Sequence, residues 1–272
     1  MYKMLLRGTE WLLSRNPFVI VIRIGYLLSM SLEQVDPYVT SGAGSETLEG
    51  LECAVNMHSW IASLIGPYMG SSNLELGAGI GTISQYLVDD YEVDFCEASE
   101  HCRSRLKERF STRKADYFHD FFEMEKGRKY DCIYSSNVME HFEDDQAVIS
   151  RASELLNENG YFVTYVPACN ILYSEFDRKI GHYRRYTNMD IERLNRHIKE
   201  EDLLLDLIRK SYFNPIGGLA WFVKMRVLKG QSIDPKDAAI YDRFFPYLKW
   251  SNVFSKILKG QNMLFVYQKK AF

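Results

Sequence analysis

Residues 73–83 read Asn-Leu-Glu-Leu-Gly-Ala-Gly-Ile-Gly-Thr-Ile, a short apolar strand that runs into three alternate glycines. A helical pattern over Thr82–Val88 follows at once. Glycine turns the backbone sharply and lets a ligand approach closely, because it has no Cβ. The first turn of a helix points free N–H groups at such a ligand. The stretch therefore predicts a ligand-binding loop between a strand and a helix.

The spacing of these glycines distinguishes between cofactors. A dinucleotide-binding loop has the pattern Gly-x-Gly-x-x-Gly, whose third glycine packs the helix against the strand. Here the run is Gly77, Gly79 and Gly81, and Thr82 stands where the third glycine is needed. Glu75, two residues before the first glycine, is also foreign to that pattern. An oxidoreductase that uses a nicotinamide cofactor is therefore disfavoured.

The pattern Glu-x-Gly-x-Gly-x-Gly after a strand resembles motif I of class I S-adenosylmethionine (SAM) dependent methyltransferases, of the type that acts on small molecules. The resemblance implies that the loop holds the methionine part of SAM and that S-adenosylhomocysteine is the product. By the same resemblance, Trp60 and Asn56 cover the methionine end of the cofactor, although core packing explains Trp60 equally well. The cofactor-binding residues that motif I implies are Glu75, Gly77, Ala78, Gly79 and Gly81.

Strand and helix patterns alternate from residue 51 onwards, which predicts an α/β fold. We expect a Rossmann-like, doubly wound, mostly parallel seven-stranded sheet, with a helical N-terminal extension at residues 1–50. The methyltransferase domain then spans residues 51–272, with lid insertions at about 168–188 and 214–260. The predicted strands are Asn73–Leu76, Glu92–Glu97, Lys114–His119, Tyr130–Ser135, Tyr161–Val166, Leu203–Tyr212 and Met263–Lys269. The predicted helices of the domain include Leu51–Leu64, Thr82–Val88, Glu100–Arg109, Asp145–Leu156 and Met189–Ile198.

The composition places limits on location and partners. Apolar residues make up 46% of the chain and charged residues 25%, as in an ordinary globular protein. The net charge of −3 offers no basic surface for phosphate backbones, so we expect no nucleic acid as partner. The five cysteines are scattered and form no Cys-x-x-Cys pair, which indicates a reduced, cytoplasmic protein.

The segment Phe18–Leu32 is strongly apolar, but Arg23 interrupts it. It is also shorter than the roughly 20 residues that a membrane span needs. We expect helices here that pack over the catalytic domain or a partner, with peripheral membrane contact through residues 18–32 as the alternative. A homo-oligomer that buries residues 1–50 stays open as well.

The ends of the predicted strands supply further candidate cofactor contacts, because ligands of an open α/β sheet bind beyond the carboxyl ends of its strands. Strand two ends at Glu97-Ala98, where Glu97 is placed to bind two ribose hydroxyls. Strand three ends before Asp120, which can accept a hydrogen bond from the adenine amine, with Asp116 as a rival. Phe121 beside it offers a backbone N–H and an apolar wall.

The segment after strand four resembles that of small-molecule methyltransferases, whose backbone borders the transferable methyl group. The resemblance implies cofactor contacts from Asn137 and Val138. The segment lacks the Pro-Pro-aromatic motif of amino-methylating DNA enzymes and the Pro-Cys nucleophile of cytosine-C5 enzymes. Ubiquinone-pathway O-methyltransferases, distantly similar, share the Glu140-His141 pair but have a further Glu at the position of Asn137. In those enzymes this group can recruit a divalent metal; with one ligand replaced, we expect none here.

Residues 181–187, Gly-His-Tyr-Arg-Arg-Tyr-Thr, resemble a lid motif of a bacterial methyltransferase group often associated with glycans and secondary metabolites. The likeness extends over about residues 52–200. The two arginines are suited to a phosphate or carboxylate on the acceptor, or else to a structural pair with Asp177 or Glu175. The predicted substrate contacts are Tyr183, Arg184, Arg185 and Tyr186.

A hydroxyl acceptor loses a proton during methyl transfer, and histidine is the usual base near neutral pH. His182 is the first candidate for this catalytic role and His141 the second. The resemblance thus implies an enzyme that transfers the methyl group of SAM to a hydroxyl, or less favourably an amine, of a small molecule such as a sugar or secondary metabolite. The alternative is a non-catalytic SAM-binding subunit of a partner enzyme.

Overall fold

The computed structural model describes residues 52–125, 127–230, 234–256 and 259–271. The predicted extension at residues 1–50, with its apolar segment 18–32, lies outside the described residues. The strands are β1 Asn73–Leu76, β2 Val93–Cys96, β3 Tyr117–Phe118, β4 Tyr130–Ser136, β5 Leu156–Pro167, β6 Leu205–Phe213 and β7 Asn262–Lys269. The α-helices are α1 Val55–Ile65, α2 Glu100–Arg109, α3 Asp145–Leu155, α4 Glu175–Lys179, α5 Asn188–Glu200, α6 Pro215–Trp221 and α7 Pro235–Leu248.

The seven strands form one sheet in the order β3-β2-β1-β4-β5-β7-β6. Neighbouring strands from β3 to β5 are parallel, whereas β7 runs antiparallel to both β5 and β6. The order reverses at β1, so that the loops after β1 and β4 leave the same edge side by side. This crevice is where an open α/β sheet binds its ligands. The predicted doubly wound, mostly parallel seven-stranded sheet is confirmed.

Two hydrophobic clusters cover the two faces of the sheet. Helices α3 and α5 bury Val148, Ile149, Ile191 and Leu194 against one face. Helices α1 and α2 bury their apolar residues, with Leu106 among them, against the other. The sheet is therefore fixed between two helical layers, and among the described helices none has the length and apolarity needed to cross a membrane.

The prediction of an α-helix over Thr82–Val88 was wrong. The structure has a 3₁₀ turn at Ser84–Tyr86 and no α-helix there. The Ser84 hydroxyl is buried and bonds Glu75 and Tyr134. A serine whose hydroxyl is held by such tertiary partners gives little support to a regular helix, and hydrogen-bonded turns follow at residues 87–90.

Two other boundaries also differ from the prediction. The strand expected at Lys114–His119 contains only two paired residues, because β3 meets β2 over just Tyr117 and Phe118. Strand β5 begins at Leu156, immediately after α3, and so includes the predicted turn before Tyr161. Asn159 in this stretch has φ +63°, and the pairing register shifts at Tyr130/Cys132, so the turn residues form an irregular start of the strand.

Helix α7 is fastened to α1 by the carboxylate of Asp242. Its two oxygens accept hydrogen bonds from the backbone N–H groups of Asn56 (3.0 Å) and Met57 (2.9 Å). The Asn56 side chain adds a third bond at 2.9 Å. These N–H groups belong to the first turn of α1, where no helical partner exists and where a negative charge is favourable. Asp242 therefore caps α1 from a helix about 185 residues away in the chain.

Replacing this cap is expected to destabilise the domain. Asp242→Ala should lower the free energy of unfolding by about 1–3 kcal/mol, because it leaves two partly buried N–H groups of the first turn without their cap. Urea unfolding followed by circular dichroism measures the change. Asp237 lies on the same helix as Asp242, and its exposed carboxylate pairs with Lys224. Asp237→Ala should therefore lower the free energy of unfolding by less than about 0.5 kcal/mol. Equal losses in the two variants would contradict the capping role.

Candidate functional site

The glycine loop after β1 is held in a conformation that side chains oppose. Gly77, Gly79 and Gly81 have φ of +69°, +54° and +80°. A Cβ on Gly77 would lie 2.4 Å from a methyl carbon of Val138, in the loop after β4. The loop therefore packs directly on the post-β4 segment. Its backbone lies at the carboxyl end of β1, without side chains that would hinder a ligand. The binding of a ligand there stays a prediction.

Glu97 connects the end of β2 to this loop. One carboxylate oxygen accepts from the backbone N–H of Gly79 at 2.7 Å, and the other accepts from Ser99 at 2.8 Å. The side chain is buried, with 8% of its surface exposed. A carboxylate oxygen can accept more than one hydrogen bond, so these bonds do not exclude the predicted contact with the ribose, which stays a prediction. Ala98 follows at the exposed end of the strand.

Glu75 lies beneath the loop. The Ser84 hydroxyl donates to its carboxylate and also lies 2.7 Å from the Tyr134 hydroxyl. Burial raises the pKa of Glu75 to about 8, although the bond from Ser84 opposes this. The carboxyl thus supports the loop from within the protein, and its predicted contact with the cofactor stays a prediction. Sequence reasoning missed Ser84 and Tyr134, which no local pattern relates to Glu75.

The acidic and aromatic residues after β3 divide between the core and the surface. Asp120 accepts from the Phe122 backbone N–H at 2.7 Å. Phe121 is buried in the core, and Phe122 is the exposed ring, 6.1 Å from the ring of Phe142. The apolar wall expected from Phe121 stays a prediction, and its exposed neighbour Phe122 is a further candidate for it. The rival Asp116 is paired with Arg128 at 2.6 Å, whereas the bond that Asp120 accepts comes from a neighbouring backbone N–H, so Asp120 remains the first candidate for an adenine amine.

The post-β4 segment turns through an unusual backbone conformation. Asn137 has φ +54°, and its N–H donates to the Tyr165 carbonyl at 2.7 Å. Val138 then packs on the glycine loop at Gly77. Both residues are thereby placed beside the loop that the sequence assigns to the methionine part of the cofactor.

The lid motif brings the two predicted catalytic histidines together. The rings of His141 and His182 are 4.6 Å apart between centroids and nearly perpendicular. His182 Nδ1 lies 3.1 Å from Asp177, and its Nε2 lies 3.6 Å from Glu140. Although burial opposes it, hydrogen bonds from His182 and charge from Arg185 hold the pKa of Asp177 below its usual value. His182 therefore stands between two buried carboxyl groups.

Glu140 is the unsatisfied member of this group. It is fully buried, and neither carboxyl oxygen has a hydrogen-bond partner among the described residues. Burial raises its pKa to about 7, which nearby His182 partly opposes. Burial, together with His182, lowers the pKa of His141 to about 3. His141 is thus neutral near pH 7.

These side chains also form a group with metal-ligand spacing. Glu140, His141 and His182 each offer one ligand atom, and these atoms lie within 4.8 Å of one another. The expectation of no metal considered only the sequence neighbours of Glu140, where Asn137 replaces a carboxylate. Sequence reasoning missed the third donor because His182 comes from the lid, about 40 residues later. The absence of a metal stays a prediction.

Three of the four predicted substrate contacts are engaged within the protein. Arg185 is buried, bonds Asp177 at 2.7 Å and lies 4.8 Å from the centre of the Trp221 ring. Arg184 pairs with Asp145 at 2.6 Å, and the buried Tyr186 donates to the same carboxylate at 2.9 Å. These contacts anchor the lid to the sheet and to α3.

Tyr183 and Trp60 complete the comparison with the predicted residues. Tyr183 is 55% exposed and is therefore the member of the lid motif best placed to meet an acceptor. The Trp60 ring packs edge-on against Phe213 and Phe245, with centroids 5.2 and 5.4 Å away. The core-packing alternative for Trp60 is therefore favoured over cofactor contact, and Asn56 is held by Asp242.

Residues 74–162 match a family model described as a methyltransferase domain. The match includes the glycine loop, Glu97 and the post-β4 segment. A methyltransferase domain with this class I fold uses SAM, so the predicted cofactor and the class I assignment are confirmed at this level. No curated protein sequence matches the chain.

Solved structures share the fold at low sequence identity. A phosphoethanolamine N-methyltransferase 2 of Haemonchus contortus, solved with SAM, is 17% identical, with a TM-score of 0.55 over 79% of this chain and 53% of its own. A chain from the complex of the Haloferax volcanii Trm112 methyltransferase activator is 14% identical, with a TM-score of 0.60 over 87% and 97%. The plantazolicin methyltransferase BpumL, solved with S-adenosylhomocysteine, is 12% identical, with a TM-score of 0.50 over 94% and 92%. This chain thus spans about half the length of the first of these proteins.

The buried carboxyl of Glu140 predicts a pH-dependent stability. Because its pKa is raised from 4.5 to about 7, its contribution to stability is fully present below pH 4.5 and is lost as the pH rises through 7. Glu140→Gln keeps the shape but cannot ionise. The free energy of unfolding of the variant should therefore exceed that of the wild type by about 1–3 kcal/mol at pH 8. At pH 4.5 the two proteins should differ little.

Urea unfolding at the two pH values measures this difference. Glu143→Gln, at an exposed neighbouring position, is the matched control and should behave like the wild type at both. If the Glu140→Gln variant is no more stable than the wild type at pH 8, the buried carboxyl does not destabilise the wild type at that pH, and the prediction is wrong.

Proposed function

Starting from the methyltransferase domain at residues 74–162, we propose that this protein transfers the methyl group of SAM to a hydroxyl group of a small molecule, such as a sugar or secondary metabolite. The observation that carries the proposal is the arrangement of His182 between Asp177 and Glu140. Glu140 lies two residues after Val138 in the chain, and Val138 packs on the glycine loop at Gly77. A candidate base and the predicted cofactor loop thus belong to one edge of the sheet.

The residues around the loop fit the cofactor in charge and shape. Glu97, which holds the glycine loop through Gly79 and the turn after β2 through Ser99, is the carboxylate that we assign to the two ribose hydroxyls. Asp120 is assigned to the adenine amine, and the exposed ring of Phe122 lies beside it. The glycine loop and the backbone of Asn137 and Val138 would border the methionine part.

Bound SAM would supply a methyl group on a sulfonium, ready for in-line displacement. The protein has to align the acceptor and remove its proton, and alignment alone can contribute up to roughly 7–11 kcal/mol. Asp177 faces Nδ1 of His182 at 3.1 Å, which holds the ring with Nε2 as the proton-accepting nitrogen. His141, whose pKa is lowered to about 3, is a much weaker proton acceptor, so we assign the base role to His182.

An amine acceptor is the second candidate. The Haemonchus contortus protein is a phosphoethanolamine N-methyltransferase, and a coclaurine N-methyltransferase has the same fold at 12% identity, with a TM-score of 0.52 over 79% of this chain and 72% of its own. A neutral amine carries its own lone pair and needs no base before it attacks, whereas a hydroxyl gains most from one. The carboxylate-held His182 therefore favours the hydroxyl. The GHYRRYT lid motif supports the assignment to the glycan and secondary-metabolite group.

Two further parts of the proposal concern location and assembly. We place the enzyme in the cytoplasm, because the five cysteines are scattered along the sequence and form no Cys-x-x-Cys pair. A complex with an activator is a property of the Haloferax volcanii protein. The non-catalytic SAM-binding subunit is less favoured than the enzyme, because the candidate base and the cofactor residues are all retained.

Cofactor binding is the first expected result. Calorimetric titration with SAM and with S-adenosylhomocysteine should give micromolar binding to the wild type. Glu97→Ala should weaken it by at least about tenfold, because two charge-assisted hydrogen bonds to the ribose are lost. Glu97→Gln should lie between the two, and Glu108→Ala, an exposed position on α2, should bind normally. Failure of the folded wild type to bind either compound would contradict the proposal.

Turnover tests the role of His182 and the acceptor class. Release of S-adenosylhomocysteine should be measured with a panel of sugars, hydroxylated aromatics and primary or secondary amines. With the best hydroxyl acceptor, His182→Asn should lower kcat by about 10²–10⁴ while leaving SAM binding unchanged. His101→Asn, on the exposed face of α2, serves as control.

Either of two results would count against this assignment. Turnover with amines alone would move the protein to N-methylation. Full activity of His182→Asn towards a hydroxyl would remove His182 from catalysis and leave alignment as its only role.

A further inference from the structure

Exposed apolar side chains are concentrated in the C-terminal insertion. Of the 17 large apolar residues that are exposed in the described part of the chain, 11 lie between Ile216 and Val253-Phe254. We call this surface the insertion face: Ile216, Leu219, Val223, Val227, Leu228, Ile240, Phe244, Tyr247, Trp250, Val253 and Phe254. Scattered apolar residues are normal on protein surfaces, but a concentration of this kind marks an interaction site.

Helix α7 shows that the exposure follows a pattern. Its buried residues are Ala238, Asp242 and Phe245, which share one face of the helix at spacings of four and three. Ile240, Phe244 and Tyr247 share the opposite face at the same spacings and are exposed. A surface helix of a soluble protein normally carries polar residues there. Helix α7 is therefore apolar on both its inner and its outer face.

The neighbouring segments repeat this feature. On α6 and the π-helical segment Phe222–Val227 that continues it, Leu219, Val223 and Val227 are exposed at intervals of four. In the 3₁₀ segment Lys249–Lys256, Trp250 and Val253 are about 75% exposed. The insertion thus presents outward apolar side chains from each of its helical elements, and two aromatic residues, Tyr247 and Trp250, are among the most exposed.

The charge of the insertion differs from that of the rest of the chain. Residues 214–260 contain eight Lys and Arg but only three Asp and no Glu. The whole chain nevertheless has a net charge of −3, so the remainder is strongly acidic. Of the three Asp residues, Asp242 points inward to α1 and Asp237 pairs with Lys224. The exposed surface around the apolar side chains is therefore positive.

We propose that the insertion face binds the surface of an anionic phospholipid bilayer. Exposed Trp, Tyr, Phe and Leu flanked by Lys and Arg are the combination that enters the headgroup region of a membrane. The basic side chains can meet anionic headgroups while their stems accompany the apolar groups. No described helix spans a membrane, so the contact is peripheral.

The charge of the face argues against other occupants. A symmetric contact with a second copy would bring two positive surfaces together, which electrostatic repulsion opposes. Nucleic acid would meet the positive charges but not the exposed aliphatic side chains. An anionic bilayer satisfies both components at once. This inference does not depend on the proposed reaction.

The insertion face also adjoins the lid. The Trp221 indole N–H donates to the Leu172 carbonyl at 3.1 Å, and Arg226 donates to the Tyr173 carbonyl at 3.1 Å. Tyr173 in turn donates to the backbone of His182. Membrane contact would therefore occur close to the lid that carries the candidate base.

The first experiment measures sedimentation of the full chain with sucrose-loaded vesicles. Binding is expected to vesicles of phosphatidylcholine with one quarter phosphatidylglycerol, to fall strongly in phosphatidylcholine alone, and to weaken with salt. Phe244→Ser/Trp250→Ser should lower the partition coefficient by at least about tenfold, because two aromatic side chains no longer enter the interface. Met189→Ser/Ile208→Ser, which removes exposed apolar side chains elsewhere, should leave it unchanged.

The second variant changes the charge alone. Arg243→Glu/Lys249→Glu should abolish the preference for anionic vesicles. Thermal unfolding of each variant tests that it is folded, which is expected since all four positions are exposed.

The proposal is overturned if the wild type does not bind anionic vesicles. It is equally overturned if the Phe244/Trp250 variant binds as well as the wild type, which would locate the contact elsewhere, for instance in residues 18–32. A change in the solution mass of that variant without vesicle binding by the wild type would identify the face as a self-association surface instead.

Discussion

The candidate active site depends on one buried carboxylate, that of Asp177. It accepts from the Ser174 backbone and hydroxyl, from Arg185 and from His182. A carboxylate taken out of water is stable only when its oxygens are bonded in this way. The same contacts begin helix α4, hold the lid motif at Arg185 and fix the ring of His182. The geometry of the candidate base therefore follows from how one negative charge is accommodated inside the lid.

The cofactor side depends on a second carboxylate, Glu97, in the same manner. It bonds the glycine loop after β1 and the turn after β2, which approach each other because the two strands are parallel neighbours. Parallel pairing places the ends of all such strands at one edge, and the reversal of strand order beside β1 opens a crevice there. Glu97 thus fixes the loop to the turn after β2, and the proposed contact with the ribose would use the same carboxylate.

Much of this could be predicted from the sequence because the signals are local. The glycine spacing, the alternation of strands and helices, and acidic residues at strand ends are readable within short windows, and they gave the fold and the cofactor. The helix at Thr82–Val88 was wrong because its preference was overridden by a tertiary bond of Ser84 to Glu75. The sequence left the arginines of the lid motif open between an acceptor and a structural pair with Asp177 or Glu175; Arg185 does pair with Asp177, while Arg184 pairs with Asp145, which no local pattern indicated.

The association of Glu140, His141 and His182 lies beyond local reasoning for the same reason. Adjacent residues 140 and 141 meet His182 only after the chain has completed α3, β5 and the lid, so no spacing rule relates them. Glu140 illustrates the cost: its carboxyl is fully buried and has no hydrogen-bond partner in the part of the chain that the structure describes, whereas a glutamine or an apolar residue of that size would avoid the charge. A buried carboxyl with a raised pKa beside two histidines is the kind of group that occurs at functional sites, so Glu140 is a candidate member of the site together with His141 and His182.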